Sequence, residues 1–126
     1  MDKLEKIFAL QKSFNDDVIR TRGLTHITDD EWIQKYMMAM FVEMGEMMNE
    51  TNYKWWKNPK IVDQSAIKEE LVDVLHFFVS VCLRAGMSAE ELYNLYLQKN
   101  QENILRQQGK SDKKGYALGE PSEPSL

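Results

Sequence analysis

Residues 40–50 read MFVEMGEMMNE and residues 67–78 read IKEELVDVLHFF. Each stretch is strongly apolar and carries an acidic pair at i, i+3: Glu43 with Glu46, and Glu70 with Asp73. A helix places i and i+3 on one face, so each pair can act as a two-pronged oxygen clamp. Two such helices packed face to face gather four negative charges in a half-buried pocket. That arrangement costs several kcal/mol unless a cation sits among them. Mg²⁺, a hard ion held by carboxylates, water and phosphate oxygens, is the usual solution. The pattern therefore points to metal-dependent phosphate chemistry.

One acidic pair alone would be a solvated helix face. Here the neighbours are Met40, Phe41, Val42, Met44 and Met47 around the first pair, and Leu71, Val72, Val74 and Leu75 around the second. Surface carboxylates usually keep more polar company. Glu50 and Glu69 are adjacent extras.

Working outward, the chain reads as four helices. The first covers about residues 2–20, with Leu4, Ile7, Phe8, Phe14 and Val18 on one stripe and Gly23 after it. The second opens at Thr28, where T-D-D-E forms a capping box ending at Glu31. It offers Trp32, Tyr36, Met40 and Met44 to a core and runs to about residue 51. The connector NYKWWKNPKIVDQ carries the breaker Pro59. The third helix spans about residues 65–85 and stops at Gly86, a left-handed cap. Ser88 opens the fourth through S-A-E-E, with Glu91 closing the box, and that helix runs to about residue 108. No stretch alternates as a series of strands does. The fold expected is all-α and four-helix-bundle-like. A single catalytic domain covers 1–109, and a polar segment, 110–126, is flexible or closes over the active site.

The balance of 20 acidic against 16 basic residues, net −4, disfavours a general grip on nucleic acid. The lone cysteine, Cys82, permits no internal disulfide and reads as a small core residue. No run is long and apolar enough for a membrane span, and MDKLEKIFALQ lacks the form of a signal peptide. A cytoplasmic protein is expected. Of eight methionines, six lie between Met37 and Met48. Apolar residues surround nearly the whole circumference of that segment, which favours burial against a second copy in a homodimer.

Other residues could serve a ligand. His76 and Phe77 extend the acidic face by a turn. Gln11 and Asn15, at i and i+4, are two amides able to donate and accept toward a nucleobase edge. Lys99, Asn103 and Arg106 make a stripe suited to phosphate oxygens, or a solvated polar face. Lys54, Trp55 and Trp56 bring a cation and two large rings to the connector.

EMGEMMNETNYKWW, EELVDVLHFF and KNQENILRQQGKSDKKGY together resemble the dimeric, all-α dUTPases of the MazG-like nucleotide pyrophosphatase superfamily. The E-x-x-E…E-x-x-D pair is the superfamily hallmark. The L-H-F after the aspartate, the N-E-T before an aromatic-Lys-x-Trp segment, the L-Q-x-x-x-N near the start and the closing K-N…N…R-Q…G-Y are similar to the dUTPase branch. The resemblance implies two or three Mg²⁺ ions (with Mn²⁺ as a substitute) on Glu43, Glu46, Glu70 and Asp73, and Glu46 as the residue that activates water. It implies that Gln11, Asn15, Trp56, His76 and Phe77 enclose uracil. Lys54, Lys99, Asn103, Arg106 and Tyr116 are implied near the phosphates. The reaction implied is hydrolysis of dUTP, and also dUDP, which limits uracil in DNA. The chain departs from many members in linking its third helix to the K-N…R-Q helix by LRAGMSAEE alone. A broader house-cleaning pyrophosphatase acting on dCTP or modified nucleotides is the alternative within the fold, and a non-catalytic helical interaction module is the alternative outside it.

Overall fold

A computed structural model describes residues 1–122. The protein is all-α: α1 spans Lys3–Thr21, α2 Asp29–Asn49, α3 Gln64–Arg84 and α4 Ala89–Gln107, and no strand occurs among the described residues. The starts follow side-chain capping of otherwise unpaired N–H groups. Asp2 accepts from Glu5 N at 2.8 Å, and Thr28 accepts from Glu31 N at 3.2 Å as the capping box requires. At α3 the cap is Asp63, which accepts from Ser65 N at 3.0 Å and Ala66 N at 3.2 Å. The end of α3 turns at Gly86, whose φ of 77° suits a residue without Cβ, and Met87 N returns to Cys82 O at 2.9 Å.

The chain forms two compact units. The first, Met1–Ser88, holds α1, α2 and α3; the second begins at Ala89 with α4. The stretch expected as one domain, 1–109, thus contributes to both. In the first unit α2 lies along α3, and α1 packs on α3 as well. Ile19, Trp32 and Tyr36 form a buried cluster against which Leu24, Ile27, Phe77 and Val81 pack. Trp32 and Tyr36 stack with ring centroids 5.1 Å apart. Arg84 ties the two helices together, resting over the Trp32 ring and pairing with Asp29 at 3.0 Å.

Several residues expected in the core are outside it. Ile7, Phe14 and Met44 are exposed, whereas Phe8, Trp32 and Tyr36 are buried. One face of α2 meets α3, and the apolar residues on its remaining circumference find no cover within the unit. Met38, Phe41 and Val42 are 64%, 63% and 54% exposed, and Leu71, Val72 and Phe78 of α3 are also exposed.

In the second unit the C-terminal segment is tied to α4. Ser111 Oγ donates to Glu102 Oε1 and the Arg106 guanidinium lies 5.3 Å from the Tyr116 ring centroid, while within the segment itself Gly115 N donates to Glu120 Oε2 at 3.0 Å. Gly109, with φ of 73°, lets the chain reverse here; a Cβ would stand 2.8 Å from Glu120 Oε1. The last part of the expected 110–126 segment, residues 123–126, lies outside the described residues. No single helix among the described residues is long and apolar enough to cross a membrane.

Candidate active site

The packing of α2 on α3 brings the acidic pairs together. Carboxylate oxygens of Glu43, Glu46 and Glu70 lie within 4.8 Å of one another, with Glu46 the most exposed of the three. Glu43 and Glu70 share a hydrogen bond, which requires a proton between two groups that are both normally ionised. That bond, partial burial and the charges of Glu46, Glu70 and Asp73 push Glu43 up to about 7. Glu70 Oε2 is buried with no hydrogen-bond partner.

An orphaned buried carboxylate oxygen beside two further carboxylates is the environment a divalent cation would complete. The donor set is all oxygen, which suits a hard ion. Asp73 stands outside the closest trio but lines the adjoining cavity with Glu43.

That cavity, about 370 Å³ and open on one side, lies between α1, α2 and α3. Its volume falls in the range of small-molecule pockets. Gln11 and Asn15 enter from α1, Trp32 and Tyr36 from α2, and Asp73, His76, Phe77 and Ser80 from α3. Gln11 is buried, and its Nε2 donates to Asn15 Oδ1 at 2.9 Å. Asn15 Nδ2 donates to Ser80 Oγ at 2.9 Å. Tyr36 and Phe77 place their ring centroids 6.4 Å apart on the apolar side. Burial raises the Tyr36 hydroxyl above its ordinary pKa, so it stays protonated at neutral pH.

Of the residues implied for base contact, Gln11, Asn15, His76 and Phe77 meet in this cavity. Trp56 does not line it. It is 64% exposed in the connector, edge-to-face with Trp55 at 4.5 Å. Lys54 lines a separate cavity of about 360 Å³ with Lys57, Lys60 and Asn52. Asn52 closes that loop by accepting from Lys60 N and donating to Lys60 O, both at 2.9 Å. Lys99, Asn103, Arg106 and Tyr116 belong to the second unit. Lys99 and Asn103 are exposed there, and Arg106 pairs with Glu102 at 3.1 Å.

Ser80, Trp32 and Tyr36 line the cavity without having been singled out as site residues. Trp32 and Tyr36 read as core because an aromatic i, i+4 pair on an apolar face fits packing equally well. Ser80 did carry a signal: a hydroxyl residue four positions after His76, within the apolar run FFVSVCL.

A family model described as dUTPase matches residues 3–88. A dCTP pyrophosphatase of Enterobacteria phage LZ5 is 37% identical over 95 residues, which is 62% of this chain and 55% of that protein. The dCTP pyrophosphatase of Enterobacteria phage T4 is 36% identical over 77 residues, 61% of this chain and 38% of its own. A DNA replication protein of phage T4 is 36% identical over 70 residues, 56% of this chain and 15% of its own. The chain therefore spans about half or less of the length of these relatives. No solved structure matches it significantly. The family match takes in both carboxylate helices and every residue lining the cavity between them, and the chain belongs to the all-α dUTPase family.

Proposed function

We propose that the protein is a Mg²⁺-dependent nucleoside triphosphate diphosphatase that hydrolyses a pyrimidine deoxynucleotide, dUTP foremost, to the monophosphate and pyrophosphate. The observation that carries this is the sharing of one cavity by Glu43 and Asp73 with the Gln11 and Asn15 amides. A base seated among the amides and Phe77 would direct its phosphates toward the carboxylate cluster. Bound Mg²⁺ would neutralise charge on the phosphoryl oxygens and acidify water.

The chain's own residues do the rest. Glu43, Glu46, Glu70 and Asp73 would hold the cation. Glu46, the most exposed member of the trio, accepts the proton of the attacking water as its oxygen bonds to phosphorus and the α–β bridging P–O bond breaks. Phe77 and Tyr36 exclude water from one side of the base. Lys54, Trp56, Lys99, Asn103, Arg106 and Tyr116 are proposed contacts to base or phosphates. Two of the relatives carry the name dCTP pyrophosphatase, which favours cytosine as a second reading. Pyrophosphate release measured across dUTP, dCTP, dTTP, dATP and dGTP with Mg²⁺ tests both. Purine turnover equal to pyrimidine turnover would refute either one.

A second copy of the chain is the proposed cover for the apolar surface of α2 and α3, within a cytoplasmic homodimer. Met38, Phe41 and Val42 on α2 and Leu71 and Val72 on α3 are each more than half exposed, and large apolar side chains left open on two packed helices favour an interaction face. Phe41→Glu should convert a dimer to a monomer by light scattering, since it places a charge on that face. A wild type that runs as a monomer would refute the assignment.

The Glu43 proton gives a pH signature. In the folded, cation-free protein Glu43 holds its proton up to about pH 7, against an ordinary value of 4.5. The stabilisation it provides is present below pH 4.5 and is lost as pH rises through about 7. In chelator, Tm should therefore fall between pH 5 and pH 8, and Glu43→Gln should flatten that fall. Mg²⁺ should raise Tm more at pH 8 than at pH 5, because it competes with the proton. An equal Mg²⁺ effect at both values would contradict this.

A further inference from the structure

Ser80 is 1% exposed, on α3 one turn after His76. Its hydroxyl has a single hydrogen, which it donates to the His76 carbonyl oxygen at 2.8 Å. Toward the cavity Oγ is thus an acceptor only, and it accepts from Asn15 Nδ2 at 2.9 Å. This fixes which end of the Asn15 amide faces α3. Asn15 Oδ1 is thereby turned toward Gln11 and accepts from Gln11 Nε2 at 2.9 Å. Two amides are held one way round by one hydroxyl. What they leave for a ligand, each at a fixed place, is one acceptor, Gln11 Oε1, and two donors, the second N–H of Gln11 Nε2 and the second N–H of Asn15 Nδ2.

Uracil and cytosine differ by a reversal of donor and acceptor. Uracil presents a donor at N3 and an acceptor at O4; cytosine presents an acceptor at N3 and a donor at its amine. Amides free to turn over would meet either base equally well. Amides held in one orientation meet them unequally, because the wrong base leaves buried polar groups unpaired.

We propose that Ser80 is a positioning residue that, through Asn15 and Gln11, fixes the hydrogen-bond polarity of the pocket and so sets discrimination between uracil and cytosine nucleotides. This rests on the reading of the cavity as a base pocket. The backbone carbonyl of His76 anchors the relay, so the polarity is written into α3 itself and does not depend on a mobile side chain.

The test is kcat/KM for dUTP and dCTP in the wild type, Ser80→Ala, Ser80→Cys, Asn15→Ala and the Ser80→Ala/Asn15→Ala double variant. Ser80→Ala should bring the ratio of the two substrates about tenfold nearer unity, the effect of one buried donor left unpaired. The change should appear in KM more than in kcat. Ser80→Cys fills the same space with a weak acceptor and should show the same loss. In the Asn15→Ala background, Ser80→Ala should change the ratio no further, since its influence passes through that amide. An unchanged ratio in Ser80→Ala and Ser80→Cys, or an additive effect in the double variant, overturns the proposal. A wild type that hydrolyses both nucleotides alike overturns it too. A wild type that hydrolyses neither overturns the underlying base-pocket reading instead.

Discussion

Glu46→Gln is expected to lower kcat by about 10²- to 10⁴-fold, the range for removal of a general base, while Mg²⁺-dUTP still binds. Glu46 is the exposed member of the carboxylate trio, so it borders the space from which water must approach. The amide keeps the size of the side chain and one oxygen, but cannot take the proton. Rapid-quench turnover and equilibrium binding by calorimetry separate the two roles. Loss of turnover with retained binding supports proton transfer. Loss of both makes Glu46 a cation ligand only, and undiminished turnover removes it from the chemistry.

Glu70→Gln should act in opposite directions on activity and on stability. Glu70 Oε2 is buried without a partner, and its neighbour Glu43 is pushed up to about 7 by the hydrogen bond to Glu70, by burial and by the surrounding carboxylate charges. Replacing the charge by an amide gives Glu43 a neutral donor to accept from and removes one of the clustered negative charges. Leaving a buried polar atom unpaired costs about 1–3 kcal/mol, so the cation-free variant should melt at least about 4 °C above the wild type. Turnover should fall by about 10³-fold, because a charged ligand of the cation is lost and with it several kcal/mol of transition-state stabilisation. A variant less stable than the wild type in chelator would show that the carboxylates are not in conflict. Full activity in the variant would show that Glu70 holds no cation.

Much of this was legible in the sequence, for reasons that differ by residue. The helix starts at Asp29 and Ala89 follow local signals in T-D-D-E and S-A-E-E, and the stop at Gly86 follows from a positive φ. Local capping chemistry does not depend on tertiary partners. At α3 the start expected near residue 65 carried no cap assignment, and Asp63 supplies it by accepting from two N–H groups. Three members of the acidic clamp were legible because i, i+3 spacing puts each pair on one face of its helix, and the packing of α2 on α3 joins Glu43 and Glu46 to Glu70. The fate of the methionine-rich turn of α2 was less so. Periodicity marks a side chain as apolar but not what covers it, so Met44 read as core while the unit leaves it open. Ser80 was missed because its meaning lies in a partner 65 positions away, Asn15. Trp56 was read with the base on the resemblance alone, and the structure holds it in the connector against Trp55.

The central claim is that the carboxylate cluster and the amide-lined cavity are two ends of one nucleotide site. Diffraction from crystals grown with Mn²⁺ and a non-hydrolysable dUTP analogue, collected at the manganese edge, tests it most directly. The expected result is anomalous density among Glu43, Glu46 and Glu70, with the base between Asn15 and Phe77 and the phosphates running to the metal. Anomalous density away from those carboxylates, or a base bound outside the cavity, would contradict it.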